Sequence, residues 1–119
     1  MADLTDKKGN KVSVLNQGKG NIHQFVIVFD ESNEVGGFAA YMDNDANERI
    51  FFHTETAEKY QGYGLASILA SEALAATAKE GKKVVAACPY IRTYIQKHKW
   101  DGDHRPAGPA DIMYVQEHL

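Results

Sequence analysis

The sequence has little of what would mark it as secreted, metal-bound or membrane-embedded. Cys88 is its one cysteine, so neither an intramolecular disulfide nor a cysteine-rich zinc site is available, which fits a reducing compartment. No stretch approaches the ~20 consecutive apolar residues that span a bilayer. The polar start, Met1-Ala2-Asp3-Leu4-Thr5-Asp6-Lys7-Lys8, lacks the basic segment and apolar run of a secretory signal. The expectation is a cytoplasmic protein with no membrane partner. Positive charge is not in excess either: 13 Lys and Arg stand against 16 Asp and Glu, a formal charge of −3 with a pI near 5.9. Nothing global therefore drives binding to nucleic acid, and the basic residues Lys79, Lys82, Lys83, Arg92, Lys97 and Lys99 read mainly as a solvated face.

Repeats, low-complexity tracts and internal linkers are also missing. What is present is an ordinary globular composition, 44% apolar and 24% charged, in a chain of 119 residues. That length supports one hydrophobic core and one domain. Residues 1–11 are polar and expected to be flexible, with a single domain over 12–119.

Ile22–Phe29 (IHQFVIVF) is rich in β-branched and aromatic residues and ends in the turn formers Asp30-Glu31-Ser32-Asn33, which predicts a strand. A second strand follows over about Val35–Met42. The cluster Asp43-Asn44-Asp45-Ala46-Asn47 joins it to a third over Arg49–Thr56 in an antiparallel hairpin. Val12–Leu15 adds a short edge strand before the turn Gln17–Asn21.

From Leu65 to about Glu80 the period becomes helical, with Leu65, Ile68, Leu69, Ala73 and Ala76 on one face and Gly81 as the stop. Lys83–Cys88 is a short buried strand reached through a strand–helix–strand crossover, hence parallel to the strand before the helix. Pro89 opens a second helix over Pro89–His98. Asp101–Pro109, with two prolines and two glycines, reads as a loop, and Asp111–His118 as a short terminal element of open type. The fold class is α+β: an antiparallel meander joined through a crossover helix to a parallel strand.

Between the strand ending at Thr56 and the helix beginning near Leu65 lies Gln61-Gly62-Tyr63-Gly64-Leu65-Ala66-Ser67. Glycine permits close backbone approach, and the helix start offers unpaired N–H groups and a positive dipole end, so the turn suits an anion. A Walker A loop is excluded because no lysine and Ser/Thr follow the second glycine. A dinucleotide fingerprint would need glycine where Ser67 stands and an acidic residue about 20 positions on, where the chain has Val84-Val85-Ala86-Ala87.

The turn resembles the signature Gln/Arg-x-x-Gly-x-Gly/Ala of the GNAT superfamily of N-acetyltransferases, with Gln61, Gly64 and Ala66 in the matching places. The likeness runs over Phe52–His98 and takes in His53-Thr54-Glu55-Thr56, the alanine-rich helix, Lys83-Val84-Val85, Cys88-Pro89 and Tyr94, in the order of the small single-domain branch. The helices that usually follow the first strand of that fold are not evident here. The resemblance implies a GNAT-like mixed sheet, acetyl-CoA as co-substrate and an amine as acceptor, in a monomer or weak homodimer. It also implies that the strands at 49–56 and 83–88 splay to form the CoA cleft. The pantetheine arm would pair with the backbone of Thr54, Glu55 and Thr56, and the pyrophosphate would lie on Gln61, Gly62, Tyr63, Gly64, Leu65, Ala66 and Ser67.

Catalytic candidates follow from what acetyl transfer needs: a neutral amine, a polarised carbonyl and a protonated leaving thiolate. Cys88 stands where a strand gives way to a helix, whose positive end favours a thiolate, and a cysteine at this place has been considered catalytic in the branch it resembles. It reads as base, nucleophile or small buried residue. His53 and Glu55, two apart on one strand, share a face and are proton acceptors or polar surface; with no third ligand they do not suggest a metal. Tyr94 is similar in place to an aromatic that lies against the cofactor and protonates the leaving thiolate, or else packs in the core.

Overall fold

The computed structural model describes residues 4–119. The strands β1 (Leu4–Thr5), β2 (Lys11–Lys19), β3 (Ile22–Phe29), β4 (Val35–Asp43) and β5 (Glu48–Thr56) lead through a single turn at Glu58–Tyr60 into α1 (Leu65–Lys79). The chain continues as β6 (Lys83–Ala86), α2 (Pro89–His98), β7 (His104–Pro106) and α3 (Pro109–His118). All strands join one mixed sheet whose spatial order equals the chain order, antiparallel from β1 to β5 and parallel from β5 to β7. The α+β architecture expected from the sequence is the one observed.

Consecutive parallel strands reached by helical crossovers of one hand put their helices on one face of the sheet. Accordingly α1 and α2 cover the face built from Phe25, Ile27, Tyr41, Phe51 and Val84, burying Leu65, Leu69, Ala70, Ala73, Leu74, Ile91 and Ile95 against it. Helix α3 covers the other face, where Val115 meets Met42, Ile50 and Val85. Of the face expected for α1, Leu65, Leu69 and Ala73 are buried and Ile68 and Ala76 only half-buried, while Ala70 and Leu74 are buried beside them.

Several elements exceed their sequence expectation. Strand β2 is not a short edge strand but runs to Lys19, because Gln17 and Gly18 continue the ladder opposite Gln24 and His23. Gly18 lets the His23 ring lie on the backbone: a Cβ there would stand 2.0 Å from His23 Nδ1. The expected loop at 101–109 holds β7, drawn to the sheet edge by Val84 N–H donating to Asp103 O and by Arg105, which forks onto Glu48 and Asp111. Pro109 at the first helical position and Asp111, whose carboxylate accepts the Gly108 N–H at 2.8 Å, make the last element a helix.

Residues 4–11, expected to be flexible, hold β1 and a hydrogen-bonded turn; residues 1–3 lie outside the described ones. Leu4 and Thr5 pair with Val12 and Lys11, and Asp6, 6% exposed, closes the turn between them. Its carboxylate accepts the N–H groups of Lys8 and Asn10 and the Asn10 side-chain amide, all near 3 Å. One aspartate thus satisfies the turn's donors locally.

Candidate active site

The site begins with an irregularity in β5. His53 lies opposite Ala40 and Phe51 opposite Tyr41, so Phe52 is an extra, bulged residue. Side chains alternate along a regular strand, and a bulge breaks that parity. Phe51 and Thr54, three apart, both face α1 and α2: Phe51 is in the core, and Thr54 Oγ1 lies 3.4 Å from Cys88 Sγ. His53 and Glu55 share the opposite face, where the His53 ring packs 5.6 Å from Phe38. Their nearest polar atoms are 3.9 Å apart, and both side chains are more than half exposed.

At the same point β6 leaves β5. Their pairing ends at Phe51 and Ala86, and the Phe51 carbonyl accepts the N–H groups of both Ala87 and Cys88, at 3.0 and 2.8 Å. The chain then turns into α2 at Pro89 with Cys88 at the helix cap. Beyond Phe51, the β5 edge turned toward α2 pairs with no strand among the described residues, and its backbone donors and acceptors border an open wedge.

Below the wedge lies the glycine turn. Gly64 caps α1 with φ of +78°, a left-handed conformation that favours glycine, and no side chain caps the helix. The N–H groups of Gln61 and Tyr63 are taken by the carbonyls of Glu58 and Tyr60. Those of Gly62, Gly64, Leu65, Ala66 and Ser67 have no backbone acceptor among the described residues, an array suited to an anion. Tyr60 anchors the turn from outside, its ring tilted against Phe29 with centroids 4.4 Å apart and its hydroxyl donating to Glu34.

Wedge and turn enclose a cleft of about 610 Å³, lined by Thr54, Glu55, Thr56, Gln61, Gly62, Gly64, Leu65, Ala66 and Ser67, together with Lys7, Tyr60 and Tyr90. A second hollow of about 640 Å³ adjoins it, lined by Val35, Gly37, Phe38 and Glu58 and sharing Thr54, Glu55, Thr56 and Gln61. The end of β5 thus divides two openings, one over the glycine turn and one on the side of His53 and Glu55. Among the described residues no three His, Cys, Asp or Glu cluster as metal ligands would, and no helix is long and apolar enough to cross a membrane.

Some expected residues stand elsewhere. Tyr63 does not line the cleft; its ring packs on Tyr60 and Phe29, leaving its backbone to shape the turn. Nor does Tyr94, which packs against the core with its ring tilted against that of His98, centroids 4.2 Å apart. The tyrosine of α2 that reaches the cleft is Tyr90, one residue after Pro89. Burial raises its phenol pKa above the ordinary value, with the Tyr94 phenol adding to the shift, so the Tyr90 phenol is protonated at neutral pH. Its place immediately after Cys88-Pro89, at the mouth of the wedge, is the signal that could have found it. Cys88 is 4% exposed and sits behind Thr54 at the back of the wedge.

Residues 24–103 match a family model described as GCN5-related N-acetyl-transferase. The chain belongs to this N-acetyltransferase family. No curated protein sequence matches it. The family segment carries every cleft-lining residue except Lys7, and it leaves outside β1, most of the β2–β3 hairpin, β7 and α3.

Proposed function

We propose that the protein transfers an acetyl group from acetyl-CoA to a primary amine. The observation that carries this reading is the wedge: β6 abandons β5 directly above an uncapped glycine turn, so an anion site and an unpaired strand edge open into the same cleft. The amides of Gly62, Gly64, Leu65, Ala66 and Ser67 suit the pyrophosphate. The free edge of Thr54–Thr56 suits the amide groups of the pantetheine arm, and the thioester then lies between β5 and the start of α2.

The amine approaches from the hollow beside Phe38, on the face that carries His53 and Glu55. Attack of its lone pair on the thioester carbonyl forms the C–N bond as the C–S bond breaks. One of those two side chains takes the proton the nitrogen loses, directly or through water, and the Tyr90 phenol is placed to protonate the departing thiolate. Cys88 supports a second route, in which its sulfur attacks the thioester carbonyl, its proton passes to the departing CoA thiolate, and the amine then displaces the cysteine sulfur from the acyl-cysteine; Thr54 Oγ1, 3.4 Å away, hydrogen-bonds that sulfur.

Calorimetric titration with CoA, and release of free thiol from acetyl-CoA with a panel of amines, test the reading. Wild type binds CoA and releases thiol only when an amine is present. Gly64→Glu places bulk and negative charge at the turn and abolishes binding, while its unfolding transition stays cooperative at a cost of about 1–2 kcal/mol for the positive φ. A folded Gly64→Glu that binds CoA as wild type does would show the pyrophosphate site to be misplaced. Binding without thiol release from any amine would favour a CoA-binding module instead; the β2–β3 hairpin, which turns at Gly20-Asn21 with no helix between its strands, supports that alternative.

A further inference from the structure

The one cleft residue outside the family segment is a lysine, and its placement is built rather than incidental. Asp6 holds the turn between β1 and β2 through three hydrogen bonds, and the next residue, Lys7, donates its backbone N–H to Tyr63 O at 2.9 Å. The hairpin is thereby bonded to the glycine turn itself. The side chain of Lys7 then runs along that turn: a Cβ built on Gly64 would meet Lys7 Cγ, Cε and Cδ at 3.0, 3.1 and 3.2 Å. Gly64 therefore lacks a Cβ for two reasons, its left-handed φ and the lysine stem lying on it.

This arrangement brings an ammonium to the positive end of α1, beside backbone N–H groups with no acceptor. Two like potentials next to each other are unfavourable until an anion lies between them. Lys7 is exposed, and the ion pairs among the described residues do not include it. The neighbouring Lys8 is directed elsewhere, over the Tyr63 ring at 5.7 Å.

We propose that Lys7 is a ligand of the CoA phosphates, so that the N-terminal hairpin forms one wall of the cofactor site. The inference rests on the glycine turn being where CoA binds. It assigns a binding role to a segment outside the residues matched by the family model, and it makes the phosphate affinity of this chain depend on salt through one identified side chain.

Calorimetry with CoA and with pantetheine, which lacks the phosphates, at low and high ionic strength tests it. Lys7→Gln and Lys7→Met weaken CoA binding by about tenfold at low salt, the scale of one charge-assisted hydrogen bond at an exposed site. Both flatten the salt dependence and leave pantetheine binding as in wild type. Lys7→Met keeps the stem on Gly64, so equal losses in the two variants assign the effect to charge. Lys7→Arg retains most of the affinity. Lys79→Gln, the same charge change at the far end of α1, leaves binding unchanged. Wild-type CoA affinity and salt slope in Lys7→Gln would overturn the proposal while leaving the CoA reading intact. So would an equal loss of pantetheine affinity, which would indicate damage to the wedge. A wild type that binds no CoA would overturn both.

Discussion

Thr54 and Cys88 meet across the apex of the wedge, and this contact makes the thiol the first residue to test. Cys88→Ala removes the sulfur at a cost of about 1 kcal/mol in stability, since it deletes one small buried atom. It lowers turnover by about tenfold or more, the range of a lost proton-transfer or nucleophilic group, and leaves CoA affinity unchanged. Mass spectrometry after brief exposure to acetyl-CoA separates the routes: a modification of one acetyl group on Cys88 marks the acyl-enzyme path. Turnover at the wild-type level in both Cys88→Ala and Cys88→Ser would return the cysteine to packing and leave Glu55 and His53 as the proton acceptors. At this scale the glycine turn and Cys88 were legible, because each borders an element change visible in the residue pattern. The sequence pointed to Tyr94 and not to Tyr90, since the two stand a turn apart on one face of the helix and only the placement of α2 decides which one meets the cleft.

Among elements, the junction of β4, β5 and α1 depends on Arg49. Its side chain is 2% exposed, yet it is charged, with Nε 2.8 Å from Asp43 Oδ1, Nη1 2.7 Å from Glu80 Oε2 and the guanidinium 4.2 Å from the Tyr41 ring centre. Burial opposes that charge, but the two carboxylates more than offset it and hold the guanidinium pKa above its ordinary value. Arg49→Met removes the hub while leaving Asp43 and Glu80 partly solvated, so urea unfolding should show a loss of about 2–4 kcal/mol. Arg49→Lys should recover little of it, because a lysine cannot fork onto both carboxylates. A change below about 0.5 kcal/mol in either variant would show the network to be incidental. The strands and the crossover helix were evident from periodicity and turn residues. The bulge at Phe52 was not: an extra residue leaves no mark when the strand remains apolar and aromatic on both sides of it.

For the molecule as a whole, acid is the revealing perturbation. Arg105 holds Glu48 down to about 2 and keeps Asp111 below its ordinary range, and Arg49 does the same for Glu80. Burial of Asp6 would raise its pKa, but its hydrogen bonds to Asn10, Lys8 and Gly9 outweigh that and lower it. Carboxylates depressed on folding bind fewer protons in the native state than in the unfolded one. Their contribution is complete above the unfolded pKa near 4.5 and is lost as pH falls toward about 2. The thermal midpoint should thus be nearly flat from pH 7 to about 5 and drop steeply below about 4.5. Arg105→Gln should shrink that drop, since it releases Glu48 and Asp111 together. An acid limb of equal depth in this variant would place the origin of the pH dependence elsewhere.

What the sequence by itself determined was the class of fold and the place of the glycine turn: apolar periodicity of two and then of 3.6, glycines at a strand-to-helix junction and a cysteine at the next one. These are local properties, carried by neighbours along the chain. Tertiary structure alone decided the rest. It decided that an extra residue at Phe52 turns His53 and Glu55 to the face away from Cys88, that Tyr90 is the tyrosine facing the cleft, and that Lys7, 57 positions before Gly64, lies across it. Each of these depends on register or on contact between segments far apart in the chain, and no window of sequence encodes the distance between them.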